Sequence, residues 1–300
     1  MDNRAATMSD SWRDYLALCK PKIVSLIIFT AVVGMFLSVP GMVPIAPLFF
    51  GTIGIGLAAA SAAAINHVVD HRIDSVMART MRRPLPRGNV SIQGAIVFAF
   101  LLATLSMIIL TYFVNVLTAV LTAISLIGYG FIYSMYLKRA TPQNIVIGGI
   151  AGAAPPVLGW TAITGTLDPN SLLLLLIIFA WTPPHFWALA IYRRKDYANA
   201  DIPMLPVTHG VEFTRLQILL YTIVLCIVTL LPFITYMSGP FYLTGAIALN
   251  AGFLYYAIKM QRDHSDRLAM QTFSYSIIYL MILFAFLLID HYVPLILRMF

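Results

Sequence analysis

Residues 66–74 read NHVVDHRID and carry Asn66, Asp70 and Asp74 at successive four-residue steps. On a helix, steps of four drift by only about 40° each, so these side chains form one stripe. An amide oxygen and two carboxylates crowded on a stripe need a cation between them. They are hard oxygen donors, which suits magnesium, with manganese as a substitute. Arg72, Arg79, Arg82, Arg83 and Arg87 follow at once. A second cluster, RRKDYANAD at 193–201, sets Asp196 and Asp201 beside Arg193, Arg194 and Lys195. Bare carboxylates repel a polyanion, but carboxylates holding magnesium among arginines attract one. The chemistry these residues suit is the binding of a diphosphate at a membrane surface. One Asp beside one Arg reads as an ordinary solvated pair; a stripe joined to a second acidic loop does not.

The elements that position these residues are membrane helices. Of 300 residues, 60% are hydrophobic and 10% charged, and the mean hydropathy is +0.86. A soluble domain would carry about a quarter charged residues. Nine stretches reach the length of a membrane-crossing helix: 23–39, 47–66, 92–112, 116–136, 144–164, 171–191, 216–236, 241–259 and 272–290. The fold class is therefore an all-α membrane protein. Asn115 is the best turn between the third and fourth spans. Pro155-Pro156 and Pro183-Pro184 are expected to kink or break spans five and six, because proline removes a backbone donor and clashes with the preceding turn. Gly148, Gly149, Gly152 and Ala153 allow close helix contact in span five. Cys19 and Cys226 have no metal or disulfide spacing. The N-terminal segment is too acidic for a transit peptide and lacks a signal peptide's apolar core, so the first span is expected to serve as its own insertion signal.

With nine spans, every lysine and arginine except Arg298 falls on one side of the membrane. Positive loops stay in the cytoplasm, so the N-terminus is expected inside and the C-terminus outside. The net charge of +7 thus reflects topology and does not point to nucleic acid. Both acidic clusters then face the cytoplasmic surface, at the ends of spans two and six. Arg72, Arg79, Arg82, Arg83, Lys138 and Lys195 are the candidate cations for a diphosphate. Tyr129, Tyr133 and Trp187 could offer π faces to an allylic cation, although core packing or interface anchoring is the commoner role of such rings. His185, in PPHFW, lies inside span six, where ionisable groups are expensive. It could bond a carbonyl freed by the prolines, contact a metal-bearing ligand or handle protons.

Three blocks carry a resemblance: NHVVDHRIDSVMARTMRRPLPRG at 66–88, YSMYLKRATPQNIVIGGIAGAAPPVLGW at 133–160 and WTPPHFWALAIYRRKDYANADIPMLPV at 181–207. The chain resembles the UbiA-type superfamily of intramembrane prenyltransferases, and within it the haem-modifying branch. The resemblance covers nearly the whole membrane region. It implies one domain over 1–300, with nine transmembrane helices around a central cavity. The cytoplasmic segment would be 1–22 and the active-site loops 67–91 and 192–215. It implies magnesium held by Asn66, Asp70, Asp74, Asp196 and Asp201. The implied reaction moves a farnesyl group from farnesyl diphosphate to a vinyl group of haem B, with water adding, to give haem O for terminal oxidase assembly. His185, Trp187 and Tyr133 would contact the haem. The implied setting is the lipid bilayer of the bacterial inner membrane, with a haem A synthase or oxidase assembly proteins as partners.

The chain departs from the family at one place. Asp196 and Asp201 are five residues apart where the family often has four. Five residues turn a helix about 500°, onto a different face, so Asp196 is the better metal candidate. Rival readings are a prenyltransferase for a quinone precursor, a phosphatidyltransferase and a transporter. The phosphatidyltransferase would need Asp-Gly where Asp74-Ser75 stands. The transporter is expected to place polar groups near mid-membrane.

Overall fold

The computed structural model describes residues 8–77 and 80–297, and among these there is no strand. α1 (Met8–Leu18) and α2 (Pro21–Leu37) open the chain, bent 53° to each other. α3 (Ile45–Val69) runs into the short α4 (His71–Val76). α5 (Ile92–Phe113) is followed by α6 (Val116–Ile127), which continues through a π-helical stretch, Gly128–Leu137, into α7 (Lys138–Ala140). α8 (Asn144–Ala153) and α9 (Pro155–Thr164) share one span, and α10 (Pro169–Tyr192) forms the next. The short α11 (Arg194–Asn199) and α12 (Leu205–Thr208) lead to α13 (Val211–Val228) and α14 (Leu231–Ile234). α15 (Pro240–Arg262) and α16 (Asp266–Leu297) close the chain.

Eight of these stretches are long and apolar enough to cross a bilayer, and the bent pair α1–α2 makes nine. Each predicted span falls on a helix. Asn115 does separate the third and fourth: its Oδ1 accepts from the Thr118 amide at 2.9 Å, capping α6, and its Nδ2 donates to the Thr161 carbonyl at 2.8 Å. The proline pairs behave differently from one another. Span five is interrupted at Ala154, before Pro155. Span six is not broken, for α10 runs continuously through Pro183 and Pro184. Dense packing holds it: all residues from Ala180 to His185 are buried.

Helix crossings depend on missing side chains. A Cβ on Gly159 would lie 1.9 Å from the Ala31 carbonyl oxygen, and one on Gly34 2.2 Å from that of Pro156. The α2 and α9 backbones therefore touch. Gly148 makes similar room for the Tyr133 ring, 2.1 Å from where its Cβ would be, whereas nothing lies within 4 Å at Gly152. A separate apolar cluster binds the connecting loops. Met77 from beyond α4 packs in one core with Trp187 and Ile191 of α10 and with Ile202, Met204 and Leu205 from around α12. The segments after spans two and six thus share one end of the bundle.

Candidate active site

The acid stripe survives a change of helix. α3 stops at Val69, but the Asp70 amide still donates to the Asn66 carbonyl at 3.0 Å, and the Asp74 amide to that of Asp70 at 2.7 Å. Asn66, Asp70 and Asp74 are each at least 94% buried. Burying carboxylates is costly unless each is paired and hydrogen-bonded. Lys138 Nζ bonds Asp70 Oδ2 at 2.6 Å, and Arg83 Nη1 bonds Asp74 Oδ2 at 2.6 Å. Asn66 Nδ2 donates to the same Asp70 oxygen at 2.9 Å, and Lys20 Nζ donates to Asn66 Oδ1. Among the described residues, Asp70 Oδ1 is buried with no hydrogen-bond partner.

Two backbone irregularities aim these cations. Lys20 sits in the break between α1 and α2 with φ of 50°. A left-handed conformation costs a residue with a side chain roughly 1–2 kcal/mol. Here it forms the bend before Pro21 that sends the ammonium towards Asn66. The second irregularity is the π-helical stretch. π-helical turns are rare and frequent at functional sites. Within it, Ser134 Oγ bonds the Tyr129 carbonyl five residues back at 2.9 Å and accepts from Asn66 Nδ2 at 3.3 Å. Lys138 follows directly. Tyr129 and Tyr133 stack along the same stretch, centroids 5.3 Å apart.

The other predicted residues are placed unevenly. Arg72, Arg82 and Lys195 are exposed, and Arg79 lies outside the described residues. Asp196 is half-buried and pairs with Arg193 at 3.5 Å, while Arg194 turns to Asp266. Asp201 is exposed beyond the end of α11, with φ of 51°. Among the described residues, no three acidic, histidine or cysteine side chains are gathered closely enough to hold a metal ion. No three of the four acids in the expected metal set are therefore gathered at one point in this structure. Asp70, Asp74 and Asp196 are each paired with a basic side chain, and Asp201 lies exposed past the end of α11.

Trp187 is 99% buried, edge-on to Tyr221, inside the loop-end core. Tyr133 keeps partial exposure. His185 does not bond a carbonyl freed by the prolines. Its Nδ1 meets Ser276 Oγ at 2.6 Å, and Trp181 and Phe273 stack on the ring at 4.1 and 4.6 Å. The sequence reading missed Lys20, Ser134 and Ser276. Lys20 precedes Pro21 at the head of the first span, a sign of a helix start, but nothing local joins it to a residue 46 positions on.

Nine helical spans with a buried acid stripe tied to lysine and arginine at one end define a multi-pass membrane protein built to handle charge beneath one surface. The chain matches the UbiA prenyltransferase family over residues 27–289. It belongs to that family and is a transferase. It is 61% identical to the protoheme IX farnesyltransferase of Nitrosococcus oceani, over 95% of each chain. Among solved structures, it resembles that of a digeranylgeranylglyceryl phosphate synthase with a TM-score of 0.79 at 18% identity, covering 94% of this chain and 99% of that one. A UbiA homologue from Archaeoglobus fulgidus, solved with GPP and Mg2+, superposes with a TM-score of 0.59 at 16% identity, covering 91% and 99%.

Proposed function

We propose that the protein transfers a farnesyl group from farnesyl diphosphate to a vinyl group of haem B, with addition of water, giving haem O for terminal oxidase assembly. The acceptor rests on the relatives, which carry the name protoheme IX farnesyltransferase at about 60% identity. The single structural observation that supports prenyl transfer is the buried acid stripe, which meets three separable cations and still has a carboxylate oxygen without a hydrogen-bond partner among the described residues.

That oxygen, Asp70 Oδ1, and the hard-donor character of the stripe fit a divalent cation such as magnesium, with manganese as a substitute. Asn66, Asp70 and Asp74 would hold it, with Asp196 as a further donor from the facing loop. When bound, the ion offsets charge that develops on the leaving diphosphate. Lys20, Arg83 and Lys138 have long side chains. Released from Asn66, Asp74 and Asp70, they can turn to the diphosphate oxygens. Arg72, Arg82 and Lys195, being exposed, would act at the entrance and steer the anion. The stacked Tyr129 and Tyr133 offer π faces to the allylic carbon, and the apolar helices exclude early water.

The lysine and arginine asymmetry supports an active site on the cytoplasmic side of the bacterial inner membrane. A haem A synthase or an oxidase assembly protein would take the product. The test is incubation of the purified protein with farnesyl diphosphate, haem B and magnesium, followed by mass analysis of the pigment. The expected product carries the mass of haem B plus a farnesyl group plus one water. Turnover only with an aromatic quinone precursor, or no turnover at all, would overturn the acceptor assignment.

A further inference from the structure

His185 is held by three aromatic rings and a hydroxyl, with Phe186 standing at 4.9 Å and 80° to the imidazole. Trp181, one helical turn before it on α10, stacks on the imidazole at 4.1 Å and 19°, and Phe273 of α16 stacks at 4.6 Å and 27°. Its Nδ1 lies 2.6 Å from Ser276 Oγ. The clamp itself is tied down, because Trp181 Nε1 donates to the Ser276 carbonyl at 2.7 Å. Nε2 makes no hydrogen bond among the described residues, although the residue is 93% buried.

The serine's hydrogen bonds decide which nitrogen carries the proton. A hydroxyl has one proton. Ser276 Oγ lies 2.7 Å from the Phe273 carbonyl oxygen, which can only accept, so the proton goes there. The short contact with His185 then requires Nδ1–H to donate to Oγ. Among the described residues no carboxylate touches the ring, and a buried unpaired charge is costly, so the imidazole is neutral. Its other nitrogen, Nε2, is then unprotonated. Its lone pair lies in the ring plane, clear of the two stacked faces.

We propose that Ser276 is a positioning residue that fixes His185 as the Nδ1–H tautomer and presents Nε2 as a ligand to the iron of the haem acceptor. This rests on the reading that haem is the acceptor. Neutral imidazole suits iron, and metal-binding histidines generally have the remote N–H held by a hydrogen bond that sets ring and tautomer. Sequence alone gives no hint of it, since Ser276 is 91 residues from His185 on another helix.

The test titrates haem into the purified full-length protein and its variants, read by the haem absorption spectrum, with farnesyl diphosphate affinity measured alongside. His185→Ala is expected to lose the spectrum of nitrogen-ligated haem. Ser276→Ala is expected to weaken haem binding on the order of 10–100-fold and to change the spectrum. Ser276→Thr, which keeps the hydroxyl, is expected to restore both, with farnesyl diphosphate affinity unchanged throughout. A wild-type-like spectrum in Ser276→Ala beside a defective His185→Ala would overturn the role of Ser276 alone. A normal spectrum in His185→Ala would remove the imidazole as ligand and the proposal with it. A loss of diphosphate affinity in Ser276→Ala that threonine does not repair would make Ser276 a packing residue. Failure of the wild-type protein to bind haem would overturn the acceptor reading itself, a pattern distinct from the other three.

Discussion

Two buried carboxylate sites lie at opposite ends of the bundle, and their partners differ in kind. At one end, Asp70 and Asp74 are met by lysine and arginine side chains, and Asp70 Oδ1 has no hydrogen-bond partner among the described residues. At the other, Asp290 of α16 accepts from the Gly239 amide through Oδ2 and from the Tyr242 amide through Oδ1, at 3.0 Å for the latter, and so caps α15. Its neighbours add to the tie: His291 Nε2 bonds the Val39 carbonyl at 2.9 Å, and Tyr292 OH that of Gly41 at 3.1 Å. Backbone amides cannot swing away; ammonium and guanidinium groups on flexible stems can. The same residue type is thus a fixed strut at one end and an exchangeable site at the other.

The comparison requires the two ends to face opposite sides of the membrane, and that effect is all-or-none. Reporters fused near Gly41, Asp168 and Gly239 should signal outside, and those near Arg87, Lys138 and Lys195 inside. A cytoplasmic signal at Asp168 would break the nine-span arrangement. Next in size, Asp70→Asn and Asp74→Asn should each lower turnover at least 10²–10³-fold, the scale of losing a transition-state electrostatic contact, with membrane insertion retained. Near-normal turnover in either variant at saturating magnesium would remove the stripe from the chemistry.

Asp290→Ala should do the reverse. Loss of a buried cap that serves two amides should cost about 1–3 kcal/mol, seen as a lower Tm in detergent, with turnover per folded molecule unchanged. A turnover loss at unchanged Tm would erase the contrast between the ends. Lys20→Gln should have a smaller effect, raising the KM for farnesyl diphosphate about tenfold, the worth of roughly one charge-assisted contact. An unchanged KM would confine Lys20 to holding the helix bend. Smallest should be Asp201→Asn, which ought to impair turnover less than Asp196→Asn. The reverse ranking would mean that the loop closes differently over bound substrate.

Much of the fold can be read locally. Apolar run length marked each span, because a helix must be about twenty residues long to satisfy its own backbone across the bilayer. Asn115 was legible as a boundary because a capping side chain acts on the amide three residues on. The four-residue spacing placed Asn66, Asp70 and Asp74 on one stripe, since helical periodicity alone sets that.

What stayed hidden crosses between elements. Lys138 and Asp70 are 68 residues apart, Lys20 and Asn66 are 46 apart, and His185 and Ser276 are 91 apart. Composition showed that arginines and lysines abound near the acids, but not which of them turn inward; Arg83 does, and its neighbour Arg82 does not. A long side chain's partner depends on where a second helix has packed. The π-helical stretch and the unbroken run through Pro183-Pro184 are likewise outcomes of packing that override local preference. The sequence determined which groups the protein brings to one membrane face, because spacing along a helix is a local property. Only the tertiary structure decided which cation answers which acid and which nitrogen of His185 is left bare, because those depend on distances between helices that no stretch of sequence contains.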